Sequence, residues 1–318
     1  MTVVPRGLPG RLSARLLARF LVFWLLALAS AWSGVARADA TPTRQYTVVS
    51  PDGVPLSVQE YGDPSGTPVI FVHGLLGSHL SWQAQVGSPA LQRHRLITFD
   101  LRGHGQSGKP SEPERYVEGR RWGQDLASVI SASGAQRPVL VGWSLGAAVI
   151  SNYLAAQGDA AVAGVVYVGG VIELDPAQIV PHPDVYRDMN SADLRTRLDA
   201  ERAFIVLCFH RQPGDEVFQR LLANASLASF DMQRVVHRMS VAAEQGLRRA
   251  GKPMLQIYGE QDALVRAKPS ADRARALNPA IRTTFYEDAG HAPFVEAADR
   301  FNAELVGFVE AASGEVVR

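Results

Sequence analysis

Cysteine is almost absent, with one residue, Cys208, among 318. A lone thiol cannot close an intramolecular disulfide, so the fold must be held by its core. Cys208 lies in Phe204-Ile-Val-Leu-Cys-Phe209 and reads as a buried, inert thiol rather than a reactive one. HExxH and clustered cysteines are missing, and the eight histidines show no ligand spacing. Neither a metal nor any other cofactor is therefore expected. Repeats and low-complexity tracts are also lacking, which excludes solenoid architectures.

Long basic runs are missing as well. The formal charge of +1 hides an asymmetry, because the first 38 residues hold five arginines and no acid. The remainder carries 27 basic and 31 acidic residues, a net of −4, so nucleic acid is not an expected partner. No apolar stretch reaches the roughly 20 residues of a comfortable membrane span. The nearest is Phe20–Ala29, preceded by four arginines and followed by Ala36-Arg37-Ala38. That order predicts an export signal over residues 1–38, cut after Ala38, and a periplasmic or secreted mature chain with no stable membrane span. An uncleaved N-terminal membrane anchor is the competing reading. With no cysteine near the cut, a lipoprotein anchor has no support.

What is present is a globular composition, 47% hydrophobic and 20% charged. Short apolar runs rich in β-formers alternate with helical patterns. Strands are predicted at Gln45–Val49, Leu56–Glu60, Val69–Val72, Leu96–Phe99, Val139–Val141, Val165–Val168, Met254–Tyr258 and Thr283–Tyr286. Helices are predicted near Trp82–Leu91, Gly119–Ser133, Leu145–Ala156, Ser270–Leu277 and Pro293–Ala312. The pattern implies a doubly wound, mostly parallel, eight-stranded α/β sheet with an antiparallel hairpin at one edge. Residues 39–170 and 252–318 form this core. Between them, 171–251 shows only amphipathic helical patterns, such as Asp193–Phe209 and Val217–Leu227, and is expected to be a helical cap.

The chemistry converges on Gly142-Trp-Ser-Leu-Gly146, which fits G-x-S-x-G at a strand-to-helix junction. A nucleophile at the apex of such a turn needs strained backbone, and neighbours lacking Cβ give it clearance. A serine hydroxyl also needs a base and an orienting acid. His291, in Asp288-Ala-Gly-His-Ala-Pro-Phe294, falls after the last strand and before the final helix, on the loop side where ligands bind in such sheets. For the acid, Gly259-Glu-Gln-Asp262 offers Asp262 and Glu260, and Asp288 is a third candidate. Asp262 follows the turn by enough residues to point back at His291. Asp288, close in sequence to His291, reads as a turn former. Gly103-His-Gly-Gln-Ser-Gly108 matches the dinucleotide fingerprint, but Lys109-Pro110 and Pro113 follow where that motif must open a helix.

With His73-Gly74-Leu75-Leu76-Gly77 and Asp100-Leu-Arg-Gly-His-Gly-Gln-Ser107 added, five motifs stand in order. The chain resembles the α/β-hydrolase superfamily, and within it the esterase and cofactor-free haloperoxidase-like group. The resemblance implies an α/β-hydrolase fold with a helical cap (lid) insertion. It implies an oxyanion hole of the Leu75 and Leu145 backbone N–H groups, the reaction's need for which is independent. His73 is expected to bond within its own loop rather than act as a second base. Trp143, Phe204 and Phe209 are candidate substrate-pocket residues, although aromatics on a helical face are more often core. The expected activity is hydrolysis of a small-molecule ester or related acyl bond through Ser144, His291 and Asp262. Perhydrolysis, amide cleavage and C–C cleavage by the same residues are the alternatives, and a non-catalytic ligand-binding relative is a further rival. Dehalogenase and epoxide hydrolase patterns carry Asp where this chain has Ser144.

Overall fold

The computed structural model describes residues 1–3 and 40–314. The predicted export signal therefore lies almost wholly outside the described residues. No helix among those described is long and apolar enough to cross a membrane.

Eight strands form one sheet: β1 (Arg44–Val49), β2 (Pro55–Gly62), β3 (Pro68–Val72), β4 (Arg95–Phe99), β5 (Val139–Trp143), β6 (Gly164–Val168), β7 (Met254–Gly259) and β8 (Arg282–Tyr286). Their spatial order is β1-β2-β4-β3-β5-β6-β7-β8. β2 runs antiparallel to both neighbours, and every other pairing is parallel. All eight predicted strands are present, and the predicted hairpin is β1–β2 at one edge.

β5 and β6 are buried at every position, as continuous apolar runs should be when both faces are covered. Side chains still alternate between two cores. Ile70, Val72, Leu140 and Tyr167 enter one apolar cluster, while Val69, Phe71, Val141 and Val168 enter the other. At the edge, β1 is mostly exposed.

The helices are α1 (Gln83–Val86), α2 (Glu114–Val117), α3 (Gly119–Ser133), α4 (Leu145–Gln157), α5 (Pro183–Met189), α6 (Leu194–Leu207), α7 (Asp215–Ser226), α8 (Phe230–Val235), α9 (Ala243–Arg249), α10 (Ala267–Leu277), α11 (Pro293–Glu296) and α12 (Ala298–Ser313). Two predicted helices are shorter or broken. Trp82–Leu91 is a 3-10 turn at His79–Trp82 followed only by α1, which stops at Gly87 with Pro89 close behind. Pro293–Ala312 divides at Ala297, whose φ of −133° and ψ of 49° leave the helical region.

α4 is buried from Leu145 through Leu154, which explains a sequence that is apolar all round. On one side α3 approaches so closely that a Cβ on Gly123 would sit 2.8 Å from the Asn152 backbone. On another side lies α9, where Gly246 leaves only 2.5 Å between a Cβ and the Ser151 carbonyl. α9 therefore packs on the sheet's own helical layer, although it falls in the 171–251 segment. The rest of that segment, α5 to α8, is joined to the core by backbone bonds. Val180 N–H donates to Leu264, Arg266 N–H to Gln178, and Ser229 N–H to Gly103.

Candidate active site

β5 ends at Trp143, and α4 begins at Leu145, so Ser144 alone makes the turn. Its backbone has φ 53° and ψ −115°, a conformation costing a non-glycine residue about 1–3 kcal/mol. The surroundings hold it there. Ser144 N–H donates to the Val168 carbonyl at 2.9 Å, and Val171 N–H donates to the Ser144 carbonyl at 3.1 Å. Both flanking glycines are sterically required. A Cβ on Gly146 would lie 2.2 Å from the Val72 carbonyl oxygen, and one on Gly142 would lie 2.7 Å from Gly146.

His291 sits on the loop between β8 and α11, with its Nδ1 2.7 Å from Asp262 Oδ2. Both side chains are buried. The other carboxylate oxygen, Oδ1, accepts from Leu264 N–H at 2.8 Å and Val265 N–H at 2.9 Å. Asp262 is thus clamped with one oxygen left for the imidazole. Glu260 and Asp288 are both exposed, and neither bonds His291. Gly169, at φ 50°, leaves room for the ring, since a Cβ there would lie 3.0 Å from His291 Nδ1.

The amides of Leu75 and Leu145 make no hydrogen bond among the described residues. Leu145 is the first residue of α4, where backbone N–H groups have no partner inside the helix. Leu75 is followed by Leu76, a buried residue at φ 60° that turns the chain between β3 and the 3-10 turn. His73 anchors this loop. Its Nδ1 bonds the Gly74 carbonyl at 2.8 Å and its Nε2 accepts from Leu101 N–H at 3.0 Å. Complete burial lowers its pKa to about 4, so the ring is neutral and committed, as its loop-bonding role required. The glycine-rich stretch after Asp100 is a turn, not a helix opening. Gly103 and Gly105 have positive φ, and Gln106 N–H donates to Asp100 Oδ2 at 2.8 Å.

Ser144 opens onto a cavity of about 70 Å³ lined by Leu75, Leu145, Leu174, Tyr186, Phe204 and His237, among other mostly apolar residues. Of the three predicted pocket aromatics, only Phe204 lines it. Trp143 alternates to the opposite face of β5, where its indole N–H donates to the His291 carbonyl at 2.9 Å and its ring packs edge-on against Phe294. Phe209 lies beyond the end of α6 and is buried in the second apolar cluster, its backbone against Gly290. Tyr186 and His237, stacked edge to face at 4.6 Å, were not singled out by sequence patterning. They come from α5 and the 3-10 turn after α8, where no motif marks them.

This architecture places the chain among known proteins. It belongs to the alpha/beta hydrolase family, whose model matches residues 69–304. It is 62% identical to a solved Burkholderia cenocepacia structure, provisionally assigned as an aryl esterase, over 86% of this chain and all of that one, with a TM-score of 0.85. An esterase from Rhodococcus sp. ECU1013 is 29% identical over 84% of this chain and 99% of that one, with a TM-score of 0.78. A non-heme haloperoxidase from Rhodococcus erythropolis is 26% identical over 83% of this chain and 98% of its own length. The protein is an α/β-hydrolase-fold enzyme whose relatives support ester hydrolysis.

Proposed function

We propose that the protein is an exported serine hydrolase that cleaves a small carboxylic ester through an acyl-enzyme. Ser144 Oγ attacks the ester carbonyl while His291 takes its proton, and Asp262 holds the imidazolium. The Leu75 and Leu145 amides receive the oxyanion, each worth about 2.7–4 kcal/mol of transition-state stabilisation. His291 returns the proton to the leaving alcohol, and water, activated by the same imidazole, then releases the acid. Helices α5 to α8 form the lid over the cavity. The observation that carries this reading is the 2.7 Å bond from His291 to a clamped Asp262, alongside a serine held at φ 53°.

The test is Ser144→Ala against a panel of p-nitrophenyl esters, with fluorophosphonate labelling of the folded wild type. Undiminished ester turnover by the variant would overturn the assignment. Export is supported by the arginine-rich start, the Phe20–Ala29 apolar core and Ala36-Arg37-Ala38. It predicts a mature N-terminus at Asp39 after expression in a bacterial host, and an intact N-terminus on a membrane-bound product would favour an anchor instead. The haloperoxidase relative gives perhydrolysis as a second reading, in which peroxide replaces water in deacylation. Peracid formation from short carboxylic acids outpacing ester turnover would favour it.

A further inference from the structure

The proposed triad leaves one half-buried acid nearby unused. Glu296, the last residue of α11, turns its carboxylate back over the loop that carries His291. Its Oε1 accepts from Gly290 N–H at 2.7 Å, the residue immediately before the histidine. Its Oε2 accepts from Arg211 N–H at 2.8 Å. His210 and Arg211 follow α6 in the insertion. The two loops touch at a second point, where Ala292 N–H donates to the Cys208 carbonyl at 3.1 Å. A Cβ on Gly290 would lie 2.6 Å from His210 N, so the loops lie backbone to backbone.

We infer that Glu296 is a positioning residue whose carboxylate ties the His291 loop to the Cys208–Arg211 loop of the insertion, so that seating the insertion sets the imidazole. This rests on the reading of Ser144 and His291 given above. Two N–H groups from different loops each bond one oxygen of Glu296, and only a group with two acceptor oxygens and no hydrogen can satisfy both. A carboxamide of the same shape would turn an NH₂ against at least one of them. The His291 loop would then lose its tie on one side, either to its own Gly290 or to the insertion. The imidazole needs to move little for the rate to suffer, because a misplacement of about 1 Å can cost about 100-fold.

The experiment is Glu296→Gln beside Ser144→Ala, with steady-state kinetics on a p-nitrophenyl ester, fluorophosphonate labelling rate and thermal melting. For Glu296→Gln, kcat is expected to fall about 10- to 100-fold, with labelling slowed in parallel and KM within about threefold. The low-field proton resonance of His291 Nδ1–H should also shift or broaden, a change that lost stability alone would not produce. A folded Glu296→Gln protein with kcat within about twofold of wild type and an unchanged resonance would overturn the inference. If Ser144→Ala is inactive in that same experiment, the serine-hydrolase reading survives while the Glu296 inference fails. An active Ser144→Ala would sink that reading first. Should Glu296→Gln not fold, amide exchange in the wild-type protein decides. Gly290 and Arg211 amides should exchange at matched rates, and an Arg211 amide exchanging more than about tenfold faster would show the tie absent.

Discussion

Replacing Asp262 by Asn should abolish turnover without unfolding the protein, and the geometry says why. The Asp262 carboxylate is divided: Oδ1 is held by Leu264 and Val265 amides, and Oδ2 alone faces His291 Nδ1. An asparagine can keep its oxygen on the two amides or turn it toward the histidine, but not both. Turning it would point an NH₂ at two buried N–H donors and leave them unsatisfied, at about 1–3 kcal/mol each. Even the lower bound, about 2 kcal/mol in all, biases the side chain roughly 30-fold toward keeping its oxygen on the amides. The asparagine NH₂ then faces Nδ1, which must accept, so the imidazole proton moves to Nε2. A histidine protonated at Nε2 cannot take the Ser144 proton. The wrong tautomer should lower kcat by about 10⁴-fold while KM changes little. Stopped-flow hydrolysis of p-nitrophenyl acetate with a parallel thermal melt tests this. A correctly folded Asp262→Asn variant keeping more than about a tenth of wild-type kcat would refute the assignment of Asp262 and return attention to Glu260.

Three further outcomes are expected. Gly146→Ala would place a Cβ 2.2 Å from a backbone oxygen, so chemical denaturation should show a loss of at least about 1–3 kcal/mol, and an unchanged midpoint would contradict the tight elbow. Phe204→Ala should cost about 3–5 kcal/mol and move the best substrate toward longer acyl chains, because Phe204 is both buried and part of the cavity wall. A chain-length profile identical to wild type would remove Phe204 from the pocket. Glu201 makes one hydrogen bond, from Gln233, while its Oε2 is buried without a partner, and burial raises its pKa although Gln233 and Arg197 pull the other way. Its folded value therefore lies above its unfolded one. The stabilisation is complete below the unfolded pKa near 4.5 and is lost as pH rises through the folded value. Glu201→Gln should lack that loss, so its stability relative to wild type grows as pH rises above about 4.5, and parallel stability curves would show that Glu201 titrates normally.

Legibility in the sequence followed how local each constraint was. β5, β6 and β7 could be read because strands covered on both faces must be apolar throughout, and helix breaks were missed where single residues such as Ala297 decide them. Ser144 announced itself through glycines that a strained turn cannot do without, and His291 and Asp262 through loops at strand ends. The pocket had no such signal. Phe204 and Phe209 look alike in the apolar pattern, yet α6 stops at Leu207, so helical phase governs only the first. Trp143 was in principle readable, since strand alternation already sends the residue before Ser144 to the other face. Glu296 was not, because its partners are two backbone amides, which carry no residue type to recognise. Side chains that answer to side chains leave a motif, whereas a side chain that answers to backbone is visible only once the backbone has been folded. The same asymmetry explains why Ser144, His291 and Asp262 stand out in this chain while the tie between insertion and histidine does not. It also places the cavity-lining Tyr186, Phe204 and His237 in elements of the insertion whose relative placement depends on contacts distant in sequence.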